Sequence, residues 1–257
     1  MVVDVTKNGA VATVAINRPD VHNALNPEVM EGLLAAFEGL RDDTETRVVI
    51  LTGAGHTFCA GGDLKMMRAA ADYTFEDNLA GGYQIFDLMH LLNSFPKPII
   101  GRINGSAIGG GVGMVSCCDI VVAVDRAKFG FSEVRLGIVP ATISPFVVNK
   151  IGVSNARQLF LTGERFDAAY AQQIGLVHHV VAEEELDVKV NERVEQLLQA
   201  SPQAQAIAKN LIETIAYRPL TEMREFTART IAECRDSDDG REGMSSFLEK
   251  RKPRWQE

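Results

Sequence analysis

Two glycine runs and one isolated carboxylate are the residues of this chain best suited to chemistry. The first run is Asn104-Gly105-Ser106-Ala107-Ile108-Gly109-Gly110-Gly111-Val112-Gly113-Met114. It follows an apolar stretch, 98–103, that reads as a buried strand, and precedes another, 114–120, that reads as a buried helix. Adjacent glycines at such a junction let backbone N–H groups approach a ligand with no side chain in the way. A helix N-terminus adds free donors and positive dipole charge. Taken alone, the run fits a tight turn with close helix–strand packing equally well. No Gly-Lys-Ser/Thr follows, and the dinucleotide pattern Gly-x-Gly-x-x-Gly is absent, which disfavours a phosphate cradle. A backbone site for an anion, or for an oxygen that becomes one during a reaction, stays open.

The second run, Phe58-Cys59-Ala60-Gly61-Gly62-Asp63-Leu64-Lys65, also comes just after a strand pattern. On its own it is a turn into a helix. Ligand sites of α/β layers gather at the C-terminal ends of strands, and two such loops with converging N–H groups on Gly62 and Gly110 would form an oxyanion hole. Glu133 stands in Phe129-Gly130-Phe131-Ser132-Glu133-Val134-Arg135-Leu136-Gly137-Ile138-Val139-Pro140. It reads either as a surface carboxylate, alone or paired with Arg135, or as a carboxylate in an apolar cleft. In the cleft, desolvation would raise its pKa toward the range useful for proton transfer near neutral pH.

The elements that must hold these residues alternate. Strand patterns at 11–16, 48–52, 98–103, 120–124 and 176–181 are interleaved with helical ones, which predicts an α/β core. Asn26 is a good N-cap and Pro27 suits the first helical position, before Val29, Leu33, Leu34, Phe37 and Leu40 at helical spacing. Residues 79–92 form another helix candidate. Beyond residue 183 the pattern is almost wholly helical, at 184–199, 202–216, 219–235 and 239–250. The chain therefore divides at 182/183 into an α/β core, 1–182, and an α-helical region, 183–257.

With 257 residues, 46% of them hydrophobic, the chain can bury a large core. Its net charge of −8 argues against a general nucleic-acid binder. Four cysteines without CxxC or metal-ligand spacing, two of them (Cys117 and Cys118) in an apolar run, fit buried thiols and a reducing cytoplasmic setting. The N-terminus lacks a signal-peptide pattern, and no apolar run reaches the roughly 20 residues that would span a membrane.

As a set, several motifs resemble the enoyl-CoA hydratase/isomerase (crotonase) family over nearly the whole chain. They are Arg18-Pro19 with Asn23-Ala24-Leu25-Asn26, the 58–65 motif, Lys97-Pro98-Ile99-Ile100 with Asn104-Gly105 and Gly109-Gly110-Gly111, Cys118-Asp119-Ile120, and Phe129-Gly130 with Glu133. The likeness continues through Leu161-Thr162-Gly163 to Phe247 and Lys250.

The resemblance implies a crotonase-like spiral of ββα turns with a helical C-terminal region for trimer contacts, as a homotrimer or a dimer of trimers. It implies an acyl-CoA thioester as substrate, with no further cofactor and no metal. The thioester oxygen would take hydrogen bonds from the N–H groups of Gly62 and Gly110. His22, Ala24 and Leu25 fall on the first CoA-contacting loop, and Ala60, Asp63 and Leu64 where the family binds the adenine and pantetheine parts. Phe247 and Lys250 match positions that cover the CoA. Lys250, Arg251, Lys252 and Arg254 form either a phosphate-binding cluster or a solvated tail. Residues 66–82 resemble the variable wall of the acyl pocket, helical or mobile. Asp63, Asp119 and Asp125 read as caps or loop carboxylates.

One departure matters. Hydratases of this family place a first glutamate two positions after the glycine triplet, and here that position is Gly113, leaving only Glu133. The stretch 133–148 resembles bacterial members assigned to methylglutaconyl-CoA or carboxygeranoyl-CoA. In it Ala141-Thr142-Ile143-Ser144-Pro145 replaces a Gly-rich segment. The implied activity is hydration of a short or branched 2-enoyl-CoA such as 3-methylglutaconyl-CoA. The alternatives are an enoyl-CoA delta isomerase and a non-catalytic acyl-CoA-binding or RNA-associated protein. Arg135 would meet a substrate carboxylate or, more simply, a structural ion-pair partner.

Overall fold

Strand β2 (Val11–Ile16) buries Ala12, Val14 and Ile16 and leaves the intervening residues half-buried, the period-two pattern of a sheet covered on one face. In β3 (Val48–Gly53) every residue is buried, as a central parallel strand requires. The computed structural model describes residues 1–69, 72–216 and 218–256. Among these, β1 (Val3–Asn8) pairs antiparallel with β2, and β3, β4 (Ile99–Ile103), β6 (Ile120–Val124) and β9 (His179–Val181) continue the sheet in parallel, in the order β1-β2-β3-β4-β6-β9. A second, smaller sheet holds β5 (Ala107–Ile108), β7 (Lys128–Gly130) and β8 (Arg165–Asp167).

Helix α1 (Pro27–Arg41) begins as its sequence dictates. Asn26 Oδ1 accepts the Val29 N–H at 2.9 Å, and Val29, Met30, Leu33, Phe37 and Leu40 form its buried stripe. The short α2 (Leu64–Ala69) precedes α3 (Phe75–Asn93), which opens on a capping box between Thr74 and Asp77. Residues 66–82 thus fall mostly in these two helices; Ala70 and Ala71 lie outside the described residues. Helix α4 (Gly110–Cys117) packs against α3 and α5 (Ser144–Thr162). Four helices, α7 (Leu186–Leu198), α8 (Pro202–Ala216), α9 (Met223–Asp236) and α10 (Asp238–Glu249), follow the short α6 (Ala168–Gln173) close to the expected boundaries.

Two expectations shift. The helix expected over 114–120 starts at Gly110 and ends at Cys117, because Cys118 turns extended (φ −77°, ψ 141°) toward β6. An apolar run does not tell a buried helix from a buried strand, and this one contained the end of the first and the start of the second. The strand expected from 176 begins at His179. Gly175 (φ 81°) turns the chain, and the N–H groups of Leu176 and Val177 both go to the Ala171 carbonyl.

Two buried asparagines tie the loops that leave β2, β3 and β4. Asn23, fully buried with φ 56°, accepts the Arg18 N–H through Oδ1 and donates to the carbonyls of Ala54 (2.9 Å) and Thr57 (2.7 Å). Asn104 donates to the carbonyls of Gly53 (2.8 Å) and Gly55 (2.7 Å). Farther off, Arg47 clasps the C-terminal region, donating to the carbonyls of Leu198, Ala200 and Trp255, while its buried Nε has no partner.

Asn23→Ala is expected to lower stability by about 2–4 kcal/mol in urea unfolding. It strands the buried carbonyls of Ala54 and Thr57 and the Arg18 N–H, and it replaces a residue that tolerates the left-handed region with one that tolerates it less. A loss below about 0.5 kcal/mol would show that the loop is held by something else.

Candidate active site

The site is built where the two glycine loops meet. Gly109 has φ 52° and ψ −118°, and its carbonyl accepts the first helical bond of α4, from Gly113 at 3.1 Å. Gly110 is therefore the first residue of the helix, and its N–H has no partner among the described residues. The 58–65 loop is laced to this junction by backbone. Cys59 N–H donates to Ser106 O (3.1 Å) and Ile108 N–H to Cys59 O (2.9 Å). A Cβ at Gly111 would stand 2.7 Å from Cys59 O, and one at Gly61 (φ 90°) would stand 3.0 Å from Ile108 O. Only glycine permits that approach.

Leu25 fixes Gly62 from the other side. Its N–H donates to Gly61 O (2.7 Å) and its carbonyl accepts from Asp63 N (2.9 Å), which leaves the N–H of Gly62 unpartnered among the described residues. Gly62 and Gly110 line one cleft of about 270 Å³. Two N–H groups without partners, one on the first turn of a helix, are suited to a developing oxyanion.

Glu133 enters the same cleft from a 3₁₀ turn, Ser132–Leu136, closed by Gly137 in the left-handed region. Burial raises its carboxyl pKa, offset only in part by a bond from its own backbone N–H. Its Oε2 is buried without a partner. Its Oε1 lies 2.9 Å from where a Cβ of Gly109 would be, so the carboxylate rests on the bare backbone beside Gly110. The rest of the lining is largely hydrocarbon, from Leu25, Met30, Met66, Met67, Ile85 and Ile143 to the exposed rim at Leu136, Ile138 and Val139. Glu133 is the one ionisable side chain that faces this cleft among the described residues.

Arg135 is not its partner. Among the described residues Arg135 forms no ion pair; its Nε donates to Thr162 O at 3.2 Å, at the C-terminus of α5. Two positions after the glycine triplet, position 113 is closed. A Cβ on Gly113 would lie 2.5 Å from Ile143 Cγ2 and 3.2 Å from Met89 Sδ. The place where a second carboxylate would begin is therefore filled by Ile143.

Leu25 and Ala60, with Gly62, Gly110 and Glu133, line the cleft. Ala24 is buried beside them, and its carbonyl accepts from Arg18 Nη1 at 2.7 Å. His22 is exposed with φ 54°; its carbonyl accepts the Ala60 N–H and its Nδ1 lies 3.3 Å from Thr57 Oγ1. Asp63 caps α2 by accepting the Lys65 N–H (2.8 Å) and pairs with Arg18 Nη2 (2.9 Å). The Lys65 bond, then Arg18, hold its carboxyl below the usual range. Leu64 is exposed at the start of α2. Asp119 accepts from Ile99 N and Lys209 Nζ, both at 2.7 Å, and neither it nor Asp125 lines the cleft.

Phe247, 82% exposed, and Lys250, at the left-handed end of α10, are not part of this chain's cleft. Two members of the basic cluster are engaged within the chain. Arg251 pairs with Glu242 and Glu249, and Arg254 with Asp239. Acidic residues of α10 answer the basic tail, a pairing not visible in a run of like charges.

Four contributors were given no role of their own by the sequence. Arg18 braces the Ala24–Asp63 corner. Met67 Cε packs 3.0 Å from where a Cβ of Gly62 would be. Met30 and Ile143 line the deep end of the cleft. Two of them carried a signal: Arg18 as part of Arg18-Pro19 ahead of Asn23-Ala24-Leu25, and Met67 as part of the 66–82 stretch that resembles a wall of the acyl pocket. Among the described residues no group of three or more His, Cys, Asp or Glu side chains could hold a metal ion, and no helix is long and apolar enough to cross a membrane.

A family model described as enoyl-CoA hydratase/isomerase matches residues 6–257. A short-chain-enoyl-CoA hydratase of Clostridium acetobutylicum is 34% identical over 250 residues, covering 96% of this chain and 94% of that protein. The crystal structure of an enoyl-CoA hydratase from Shewanella pealeana superposes with a TM-score of 0.96 at 36% identity, over 99% of this chain and 96% of that one. An enoyl-CoA hydratase/isomerase from Marinobacter aquaeolei gives a TM-score of 0.94 at 34% identity, over 100% and 99% of the two chains.

Gly109→Ala tests the loop junction. It is expected to cost about 1–3 kcal/mol in urea unfolding, since a side chain there is strained and meets Glu133 Oε1. An unchanged midpoint would mean that the junction relaxes freely.

Proposed function

The chain belongs to the enoyl-CoA hydratase/isomerase family and has its crotonase-like α/β fold, and from that premise we propose that it hydrates a short or branched 2-enoyl-CoA with Glu133 as its sole acid–base group. The observation that carries this reading is the placement of one desolvated carboxylate, its Oε2 without a partner, beside two backbone N–H groups left free among the described residues in an apolar cleft.

In this reading the thioester carbonyl oxygen accepts hydrogen bonds from Gly62 and Gly110. These strengthen as negative charge moves onto the oxygen, so they favour the enolate-like transition state over the bound substrate. The ionised Glu133 takes a proton from water as the oxygen of that water bonds to Cβ. The double-bond electrons pass through Cα to the thioester oxygen. The carboxyl then returns the same proton to Cα, and the carboxylate is restored. One group serves as base and acid in turn because a carboxyl of raised pKa binds a proton readily and gives it up readily near neutral pH. His22, Ala24, Leu25, Ala60, Asp63 and Leu64 would line the path of the CoA.

The single carboxylate also supports a second reading, an enoyl-CoA delta isomerase. There Glu133 would carry a proton between Cα and Cγ with no water consumed. Crotonyl-CoA, 3-methylglutaconyl-CoA and a 3-enoyl-CoA separate the two. Loss of enoyl absorbance with either of the first two supports hydration; conversion of only the third supports isomerisation. The lining of the cleft holds no cation for the distal carboxylate of 3-methylglutaconyl-CoA, so that substrate tests whether its charge can stay at the solvated rim.

We also propose that the chain works as a homotrimer or a dimer of trimers in the cytoplasm. Exposed apolar residues on the C-terminal helices, including Ile212, Ile231, Phe247 and Leu248, support assembly. Phe247 and Lys250 would then cover the CoA of a neighbouring copy. Sedimentation equilibrium at micromolar protein is expected to give a multiple of three; a monomer would overturn this.

Glu133→Gln is expected to lower kcat by at least about 10³-fold while CoA binding survives, since the oxyanion donors remain. In the wild-type protein kcat/KM should fall as pH drops through a pKa above the usual 4.5 of a glutamate, because hydration needs the ionised form. The raised pKa means that ionisation opposes folding, so the Gln variant should match or exceed wild-type stability above neutrality. Full activity in the Gln variant would move the base elsewhere.

A further inference from the structure

The cleft has a depth that can be read from burial. Leu136, Ile138 and Val139 stand at the rim, the last 67% exposed, whereas Met30 and Ile143 are each only 2% exposed. At the inner end, Ile143 leans on Gly113, with Cγ2 2.5 Å and Cβ 3.0 Å from where a Cβ would be. Behind Gly113 lies Met89, fully buried and in contact with Cys117. The Ile143 backbone is held in place: its carbonyl accepts the Val147 N–H at 3.1 Å as α5 begins, and Pro145 sits in the first turn. Its side chain is thus a fixed hydrocarbon stop set against bare backbone.

We infer that Ile143, seated on Gly113, is a specificity-determining residue that forms the floor of the acyl slot and sets the longest acyl chain the protein accepts. This rests on the proposed function only in taking the cleft as the acyl site. The two residues act as one unit. Gly113 leaves a void that Ile143 fills, and a side chain at 113 would drive Ile143 into the space an acyl chain needs. Trimming Ile143 extends the slot toward Gly113 and Met89. In an apolar pocket each added methylene changes discrimination by about tenfold or more when it moves from clash to contact.

Saturated acyl-CoA thioesters read the floor without turnover. Dissociation constants of butanoyl-, hexanoyl- and octanoyl-CoA would be measured by calorimetry on the full chain. The variants are Ile143→Ala, Ile143→Val, Gly113→Ala and the Gly113→Ala/Ile143→Ala pair. The octanoyl-to-butanoyl affinity ratio is expected to rise at least about tenfold in Ile143→Ala and by a smaller factor in Ile143→Val. It should fall in Gly113→Ala and return toward the wild-type value in the pair. A ratio unmoved in both Ile143 variants, or a uniform loss at all lengths, would overturn the assignment. If the ratio moves as expected but the wild type hydrates no 2-enoyl-CoA, the floor stands and the hydratase reading falls. If the wild type binds no acyl-CoA, both fall.

Discussion

Two backbone segments some fifty residues apart touch without side chains between them, and the geometry of the cleft follows from that contact. Gly111 is set against the carbonyl of Cys59, and Gly61 against that of Ile108. Neither position tolerates a β-carbon, so the junction is rigid by exclusion as well as by its hydrogen bonds. The N–H groups of Gly62 and Gly110 have no partner among the described residues, while Gly61, Asp63 and Gly109 beside them spend backbone groups on holding the loops together. Donors fixed in this way need no reorganisation when charge develops beside them, which is where most of their advantage over water lies.

The carboxylate obeys the opposite logic. Glu133 is held by shape more than by partners: one oxygen lies against Gly109, the other is buried without a donor, and hydrocarbon surrounds both. A carboxylate so placed is uncomfortable when ionised, and that discomfort makes it a better base than one tied to an arginine. The neighbouring cation, Arg135, is turned away to a helix C-terminus, where it meets the negative end of the dipole instead. An ion pair between them would have quenched the very property the cleft provides.

Much of this was legible in the chain itself, and what was not had a common cause. Glycines announce close approach, Asn26-Pro27 announces a helix start, and the C-terminal helices carry their period openly. These are local signals, and the structure follows them. The glycine run was harder. Its apolar sequel hid a helix end and a strand start in one stretch, and the helix began inside the glycines. The partner of Arg135, 27 positions on, and the filling of position 113 by Ile143 are meetings of residues distant in sequence, while the acids that neutralise Arg251 and Arg254 lie 2 to 15 positions back on the preceding helix. No spacing rule reports them. Gly113 shows the limit most clearly: the sequence presents an absence, and only packing shows that something else occupies the place.

Arg47, just before the central strand β3, donates to carbonyls at Leu198, Ala200 and Trp255, the last 208 positions away. A ribosome must therefore deliver nearly the whole chain before this guanidinium meets its partners. Until then it sits in water beside a strand that is buried throughout in the finished sheet. Contacts of such sequence separation slow folding and lengthen the time that strand edges stay open. The clasp joins the entry of β3 to carbonyls 151 to 208 positions downstream, so it closes only after every strand of the sheet has been made.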